Sequence, residues 1–184
     1  MFRKPVIWIV VVAVLAVGGV FGLYWFQPWK LVTDKEVNET LAAVETTAPA
    51  TSPTATPAAT GSAAPKGPTV VRQGTFVTHE HETTGTARII RNADGSHRLE
   101  LVDLDTSNGP DLRVWLSDQP VKKGTAGWRV FDDGTWLELG RLKGNKGDQA
   151  YAIPAGTDLD RLASVSIWCK RFSVSFGAAA LRPA

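Results

Sequence analysis

The 184-residue chain contains a single cysteine, Cys169, and this thiol is its most distinctive candidate for chemistry. It lies in the stretch SVSIWCKRFSVSF, residues 164–176. A lone thiol cannot form a disulfide within its own chain, and outside the cytoplasm it is open to oxidation. It is either a small hydrophobe made inert by burial, or an exposed sulfur whose thiolate Lys170 or Arg171 stabilises as nucleophile or ligand. The residues alone favour the buried cysteine, because structural cysteines are common in cores.

Alternation along this stretch predicts the direction of the thiol. Val165, Ile167 and Cys169 share one face of a strand, which is the expected core face, whereas Trp168 and Lys170 lie on the other. The apolar phase changes after Lys170. A bulge or a tight reversal is therefore expected within residues 169–172, and bulges often lie beside functional sites.

Three histidines are the other candidate ligands for a prosthetic group. His79 and His81 are two residues apart, so on a strand they share one face and are weak candidates for binding a cofactor together. The alternative is a pair of polar residues on a solvated edge strand, and no metal site is predicted from this spacing. The chain has no C-x-x-C-H motif, so covalent haem is excluded. A non-covalent haem would take its ligands from Cys169, His79, His81 and His97.

The segments that must position these residues alternate between apolar and polar side chains, and turn residues separate them. This pattern predicts an all-β fold, an antiparallel β-sandwich or barrel-like domain of about eight short strands. The expected strands are residues 74–81, 85–91, 97–104, 111–117, 135–142, 149–154, 164–169 and 172–181.

The N-terminal region predicts a membrane anchor. After a short N-terminus, residues 1–5, no charged residue occurs in residues 6–26, a run about 30 Å long as a helix and long enough to cross a bilayer. A cleaved signal peptide is the alternative, but its apolar region is only about 7–15 residues. We expect residues 1–5 to be cytoplasmic, with Arg3 and Lys4 on the inner side.

The anchor is followed by a juxtamembrane segment, residues 27–45, and by a Pro/Thr/Ala-rich linker, residues 46–68. Such a composition buries too little apolar surface to fold, so we expect a disordered linker that holds the remaining domain off the membrane. That domain, residues 69–184, has 15 Lys/Arg and 14 Asp/Glu. Because it has no basic run, nucleic-acid binding is not expected.

The motifs GPDL and LKGNKGDQAY, followed by WCKRFSVSFGAAAL, resemble the DM-thirteen domain, an electron-transfer family also found in Skeletor-type animal proteins. The resemblance covers about residues 74–181, and the WFQPW exit from the anchor resembles membrane-tethered bacterial members. It implies a β-rich extracytoplasmic domain with a redox role centred on the cysteine of the Trp-Cys pair. Carried to this chain, that residue is Cys169, beside Trp168, acting as a free thiol or through a prosthetic group such as haem.

The sequence is therefore compatible with two functions. The first is a single-pass cell-membrane protein whose extracytoplasmic domain has a redox or electron-transfer role through Cys169, flanked by Trp168, Lys170 and Arg171, with a redox partner in the envelope. The second is a non-redox binding or structural module with a buried cysteine. No hydrolase spacing is recognisable, so we expect an electron-transfer or binding module rather than a catalyst.

Overall fold

The computed structural model describes residues 3–44 and 67–184, which contain one α-helix and ten β-strands. The helix, α1, is Arg3–Phe26, and short 3-10 helices lie at Pro28–Val32 and Gly124–Gly127. The strands are β1 Glu36–Asn38, β2 Thr69–Thr78, β3 Thr83–Arg91, β4 His97–Thr106, β5 Leu112–Ser117, β6 Trp136–Arg141, β7 Lys146–Ile153, β8 Ser164–Cys169, β9 Val174–Ala180 and β10 Arg182–Pro183.

The eight strands predicted from alternation correspond to β2–β9, so the expected all-β class is confirmed. The predicted first strand is wrong at both ends, because β2 begins at Thr69 and ends at Thr78. His79 and His81 therefore lie in the turn that follows β2 rather than on one strand face. Alternation does not predict β1 or β10, because these strands are only three and two residues long.

The strands form one curved sheet in the order β1-β7-β4-β3-β2-β9-β8-β5-β6, with β10 beside β2. All pairs are antiparallel except the parallel pair of β1 and β7. Strand β2 joins the two halves, since its residues up to Thr75 pair with β3 and Phe76–Thr78 pair with β9. The sheet thereby curls into a half-barrel, as the barrel-like prediction expected.

The main core fills the inner side of this curved sheet. Its buried side chains come from both halves and include Ile89, Leu101, Val114, Ile167 and Phe176. Each such side chain contributes about 1.5–3 kcal/mol relative to exposure, so this layer dominates the stability of the domain.

A smaller apolar cluster lies on the outer face of β5, β8 and β9. It consists of Trp115, Phe131, Trp168 and Ala178, with residues of the β5–β6 connection packed against it. This second layer buries the outer side chains of β8, so β8 is buried on both faces along its whole length.

Helix α1 is apolar on all sides, and the side chains of its membrane-length stretch are exposed. At 24 residues it is about 36 Å long, enough to cross a bilayer core. Its end at Phe26 coincides with the predicted end of the anchor. This helix is compatible with a single-pass membrane anchor or a signal sequence.

The juxtamembrane segment packs against the β domain. Strand β1 extends the sheet beside β7, and the Lys143 ammonium lies 2.7 Å from a Glu39 carboxylate oxygen. The Ala42 N–H donates to Glu100 at 2.8 Å. The predicted linker, residues 46–68, lies outside the described residues except for Gly67 and Pro68.

The Glu100 carboxylate, which accepts the hydrogen bond from Ala42, is fully buried. Glu100 has no exposed surface and is 2.8 Å from the guanidinium groups of both Arg88 and Arg98. A buried charge is tolerated only when it is paired and hydrogen-bonded, as here. The Arg88 guanidinium also donates to the Ala42 carbonyl, so the same ion cluster binds both backbone groups of one juxtamembrane residue.

Candidate redox site

Cys169 is the last residue of β8 and lies at the end of the sheet where the chain reverses. It pairs with Leu112 of β5 on one side and with Val174 of β9 on the other. Residues 170–173 form the turn into β9, and Ser173 adopts a left-handed φ of 49° there. The predicted reversal is confirmed. The reversal is the hairpin turn that joins β8 to β9. A separate register shift lies within this strand pair, between Ile167 and Trp168.

The thiol of Cys169 is fully buried, with 0% of the residue exposed, in the main core together with Leu112 and Val174. Burial raises the pKa of the Cys169 thiol because the charged thiolate is poorly solvated there. The backbone N–H groups of Phe172, Arg171 and Asp111 favour the thiolate and oppose this rise in pKa, but burial is the larger effect. At neutral pH the sulfur is therefore a protonated thiol, a poor nucleophile.

The three residues flanking the thiol point elsewhere. Trp168 lies on the outer face of β8 in the small apolar cluster. Lys170 is exposed and its ammonium is 3.5 Å from Glu138. Arg171 donates hydrogen bonds toward α1. Neither basic side chain is directed at the sulfur by these contacts, so Lys170 and Arg171 do not offset the raised pKa of Cys169.

The turn after Cys169 contacts the end of α1. The Arg171 guanidinium donates to the Trp25 carbonyl at 2.6 Å and lies 5.1 Å from the centre of the Trp25 ring. The rings of Phe26 and Phe172 stack with their centres 5.9 Å apart. These contacts place the turn that follows the thiol beside the point where the apolar helix ends.

His79 is buried, with 5% of its surface exposed, so the expectation of a solvated position is wrong for this residue. Its Nε2 lies 3.0 Å from the Lys122 carbonyl, which only accepts, so Nε2 carries the proton. Its Nδ1 then accepts from the Ser175 hydroxyl at 2.8 Å, and Ser166 donates to Ser175 at 2.9 Å. Burial lowers the pKa of His79, which favours the neutral imidazole.

His81 does not join His79 in a common site. Its ring lies 4.0 Å from the ring of Phe176 in the main core, whereas the ring of His79 lies 5.8 Å from Phe131 in the outer cluster. Within residues 3–44 and 67–184, no group of three or more His, Cys, Asp or Glu side chains could hold a metal ion. The two histidines are therefore separate packing residues in this structure.

A family model described as "Electron transfer DM13" matches residues 75–181, more than half of the chain. The chain belongs to the electron-transfer DM13 family. The matched part of the DM13 domain contains Cys169, the C-terminal end of β2 and all of β3–β9, and it excludes α1 and β1. Comparison with curated proteins and with solved structures found no match.

The DM13 domain also contains an aromatic stack that the alternation pattern does not reveal. Trp136, Trp115 and Trp168 lie face to face on the outer side of β6, β5 and β8. Trp128, the fourth tryptophan of the domain, instead packs beside the main core. Alternation places Trp115 and Trp168 on the faces opposite Val114 and Cys169, but only the strand order brings the three indoles together.

The residues around Cys169 do not fit a haem. The sulfur is closed in by packed side chains, so no face is open to an iron porphyrin. A cleft of about 230 Å³ is lined by Leu112, the strand partner of Cys169, but not by Cys169 itself. Small-molecule pockets have volumes of at least about 300 Å³, so this cleft is smaller than a typical ligand pocket. His97 lines a different cleft, of about 270 Å³.

Proposed function

We propose that this chain is a membrane-anchored electron-transfer protein whose DM13 domain lies outside the cytoplasm and whose redox centre is Cys169. In this proposal residues 1–5 are cytoplasmic and residues 6–26 span the membrane. The juxtamembrane segment, residues 27–45, and the linker, residues 46–68, join the membrane helix to the redox domain, residues 69–184. Membership of an electron-transfer family supports the redox role.

The observation that carries the proposal is the contact between the Cys169 turn and the end of α1. Arg171 and Phe172 follow the thiol directly and contact Trp25 and Phe26. Aromatic residues at a helix end favour the membrane interface. If α1 spans a bilayer, the thiol then lies close to the membrane surface, within reach of a redox partner that is itself in the membrane or envelope.

The burial of the thiol limits the kind of redox chemistry. Disulfide exchange requires a thiolate that a second sulfur can reach, and Cys169 is neither ionised nor accessible. Transfer of single electrons requires no contact between the partner and the sulfur. The proposed role is therefore one-electron transfer without a stable mixed disulfide: the Cys169 thiol gives one electron to the acceptor and its proton to solvent, and the resulting thiyl radical regains an electron from the membrane partner and a proton from solvent.

The redox role is tested on the full chain in detergent micelles by voltammetry and by absorption spectra with and without dithionite. Wild type is compared with Cys169→Ser and with Ser173→Gly, which alters the same turn but keeps the thiol. Glycine suits the left-handed φ of 49° at this position, so the control should fold. A redox couple that persists in Ser173→Gly and disappears in Cys169→Ser supports the proposal.

The anchor and its orientation need a separate test. Retention in the membrane fraction after an alkaline wash supports an uncleaved α1, whereas a shortened soluble product indicates a signal sequence. For orientation, Ala155→Cys in a Cys169→Ser background provides one exposed thiol on the domain. Labelling of intact cells or spheroplasts by a membrane-impermeant maleimide places the domain outside, and labelling only after lysis contradicts that placement.

The second candidate is a non-redox binding or structural module, and the complete burial of Cys169 favours it. In that case wild type shows no redox couple, and Cys169→Ala lowers stability without changing spectra or partner binding. The lost sulfur and the cavity that it leaves should cost about 1–2 kcal/mol. The voltammetric comparison above separates the two candidates directly.

A further inference from the structure

Three tryptophans form a continuous stack from the protein surface to the residue beside Cys169. Trp136 is 40% exposed, Trp115 is 3% exposed and Trp168 is 1% exposed. The ring centres of Trp136 and Trp115 are 3.9 Å apart and the rings are nearly parallel, at 3°. Trp115 and Trp168 follow at 5.0 Å and 23°. The stack therefore connects solvent to a fully buried indole through direct ring contacts.

Strand register builds this stack. Trp136 pairs with Ser117, and Trp115 lies two residues earlier on the same face of β5. Trp168 pairs with Arg113, a further two residues back. At about 3.3 Å per residue the backbone positions that carry the three indoles span about 13 Å along the strands, whereas successive ring centres are only 3.9 Å and 5.0 Å apart. The buried end is the end of β8 that carries Cys169.

The central indole has a proton acceptor. Its Nε1 lies 3.3 Å from a carboxylate oxygen of Glu138, the residue that pairs with Trp115 across the strands. The other oxygen of Glu138 accepts from Arg113 at 2.7 Å, which fixes the carboxylate in place. An indole that loses an electron becomes a strong N–H acid, so this carboxylate can take the proton of an oxidised Trp115.

Simple packing accounts for the two buried rings but not for the outermost one. Trp136 keeps two fifths of its surface in water while lying flat on Trp115. Tryptophan is among the most easily oxidised side chains. An exposed indole that stacks on a buried one, which in turn stacks on a second, gives electrons an entry point that a closed core lacks.

We propose that Trp136, Trp115 and Trp168 are a one-electron relay between a redox partner at the surface and the interior beside Cys169. This inference rests on the proposed electron-transfer function and deepens it. The surface partner is a one-electron oxidant with a planar, exposed redox group that can lie over Trp136. The donor side is the Cys169 centre, supplied from the membrane.

Each step of the relay balances. The oxidant takes one electron from Trp136, and an electron from Trp115 refills Trp136 while the Trp115 indole proton moves to Glu138. An electron from Trp168 then reduces Trp115, and Glu138 returns the proton. A one-electron donor reduces Trp168 in turn. After one passage the donor is oxidised by one electron, the acceptor is reduced by one, and the chain is unchanged.

The test uses the full chain in detergent micelles with photogenerated tris(bipyridine)ruthenium(III) as the surface oxidant. The readouts are the transient absorption of the tryptophan radical and the sites of indole oxidation mapped by mass spectrometry without added reductant. In wild type we expect the oxidation to reach the buried end of the stack, as a modification of Trp168 or, where Cys169 has reduced Trp168, of Cys169. Trp115→Phe should abolish that modification, and Trp128→Phe, which removes a tryptophan outside the stack, should leave it unchanged.

Two further variants keep the test decisive if Trp115→Phe fails to fold. Trp136→Phe changes a partly exposed ring and should also remove the oxidation of Trp168. Glu138→Gln should replace the neutral Trp115 radical by the cation radical in the transient spectrum. The relay is overturned if neither Trp168 nor Cys169 is modified in wild type, or if they are modified equally in Trp136→Phe.

The same measurement in Cys169→Ser separates this inference from the proposed function. Oxidation of Trp168 that persists in Cys169→Ser, together with no Cys169 redox couple in voltammetry, leaves the relay standing and removes Cys169 as its donor. A Cys169 couple in wild type, with no oxidation of Trp168 in Cys169→Ser, has the opposite meaning: the redox centre stands and electrons leave by another route.

Discussion

The reactivity of the Cys169 thiol gives a quantitative prediction. The residue has no exposed surface and lies in β8, which is bonded to β5 on one side and β9 on the other. A reagent reaches the sulfur only after β8 separates from a neighbour, and this opening removes most of the main core. We therefore expect labelling to require nearly global unfolding rather than local movement.

The size of the protection follows from the stability of an ordinary domain. Unfolding costs about 5–15 kcal/mol, and at the lower limit the open state is populated about 10³- to 10⁴-fold less than the closed state. Labelling of Cys169 should be slowed by at least that factor relative to a free thiol. The raised pKa of Cys169 slows the reaction further wherever the reagent needs a thiolate.

The assay follows iodoacetamide incorporation by mass spectrometry at increasing urea concentrations, with the full chain in detergent. The control thiol is Ala155→Cys in the Cys169→Ser background, because position 155 is exposed. The expected result is rapid labelling of the control and labelling of Cys169 that follows the unfolding transition. Labelling of native Cys169 within about tenfold of the control would refute the reasoning, since it requires a local opening of the β8–β9 turn.

Other predictions concern stability. Glu100→Gln should cost about 2–3 kcal/mol in urea unfolding, because two guanidinium groups lose a buried partner while they keep some contact with water. Gly177→Ala should cost about 1–3 kcal/mol, because a new Cβ would lie 2.5 Å from the Cβ of Thr83, whereas Gly67→Ala, with nothing within 4 Å, should change little. The lowered pKa of His79 contributes stability at pH values above its ordinary pKa of 6.5, and this contribution is lost as the pH falls toward the folded pKa. In thermal unfolding, His79→Gln should therefore lose less stability than wild type between neutral and mildly acidic pH.

Much of the fold follows from the sequence because alternation and turns are local signals. The strand directions around Cys169 are an example: the core face of Val165, Ile167 and Cys169 is confirmed. The predicted position of His79 on a strand is wrong because β2 ends one residue before it. A strand end depends on pairing with β3 and β9 rather than on residue types.

The rest depends on contacts between distant parts of the chain. Strand β1 has only three residues and forms because it pairs with the edge of β7. The paired residues Glu36 and Lys146 are 110 positions apart in the sequence. The tryptophan stack likewise depends on the register between β5, β6 and β8, which alternation does not specify. Without strand order, each indole is only an outward-facing aromatic residue.

The docking of the juxtamembrane segment has a consequence for proteolysis. The chain is attached to the same domain both before and after residues 45–66, through β1 and through β2. A protease that cuts between them would produce two fragments that remain associated, much as a split protein does. Shedding of the domain would then require dissociation of β1 from β7 after the cut. The release of the domain from a membrane would thus depend on the lifetime of a short strand pair and the Glu39–Lys143 ion pair, rather than on cleavage alone.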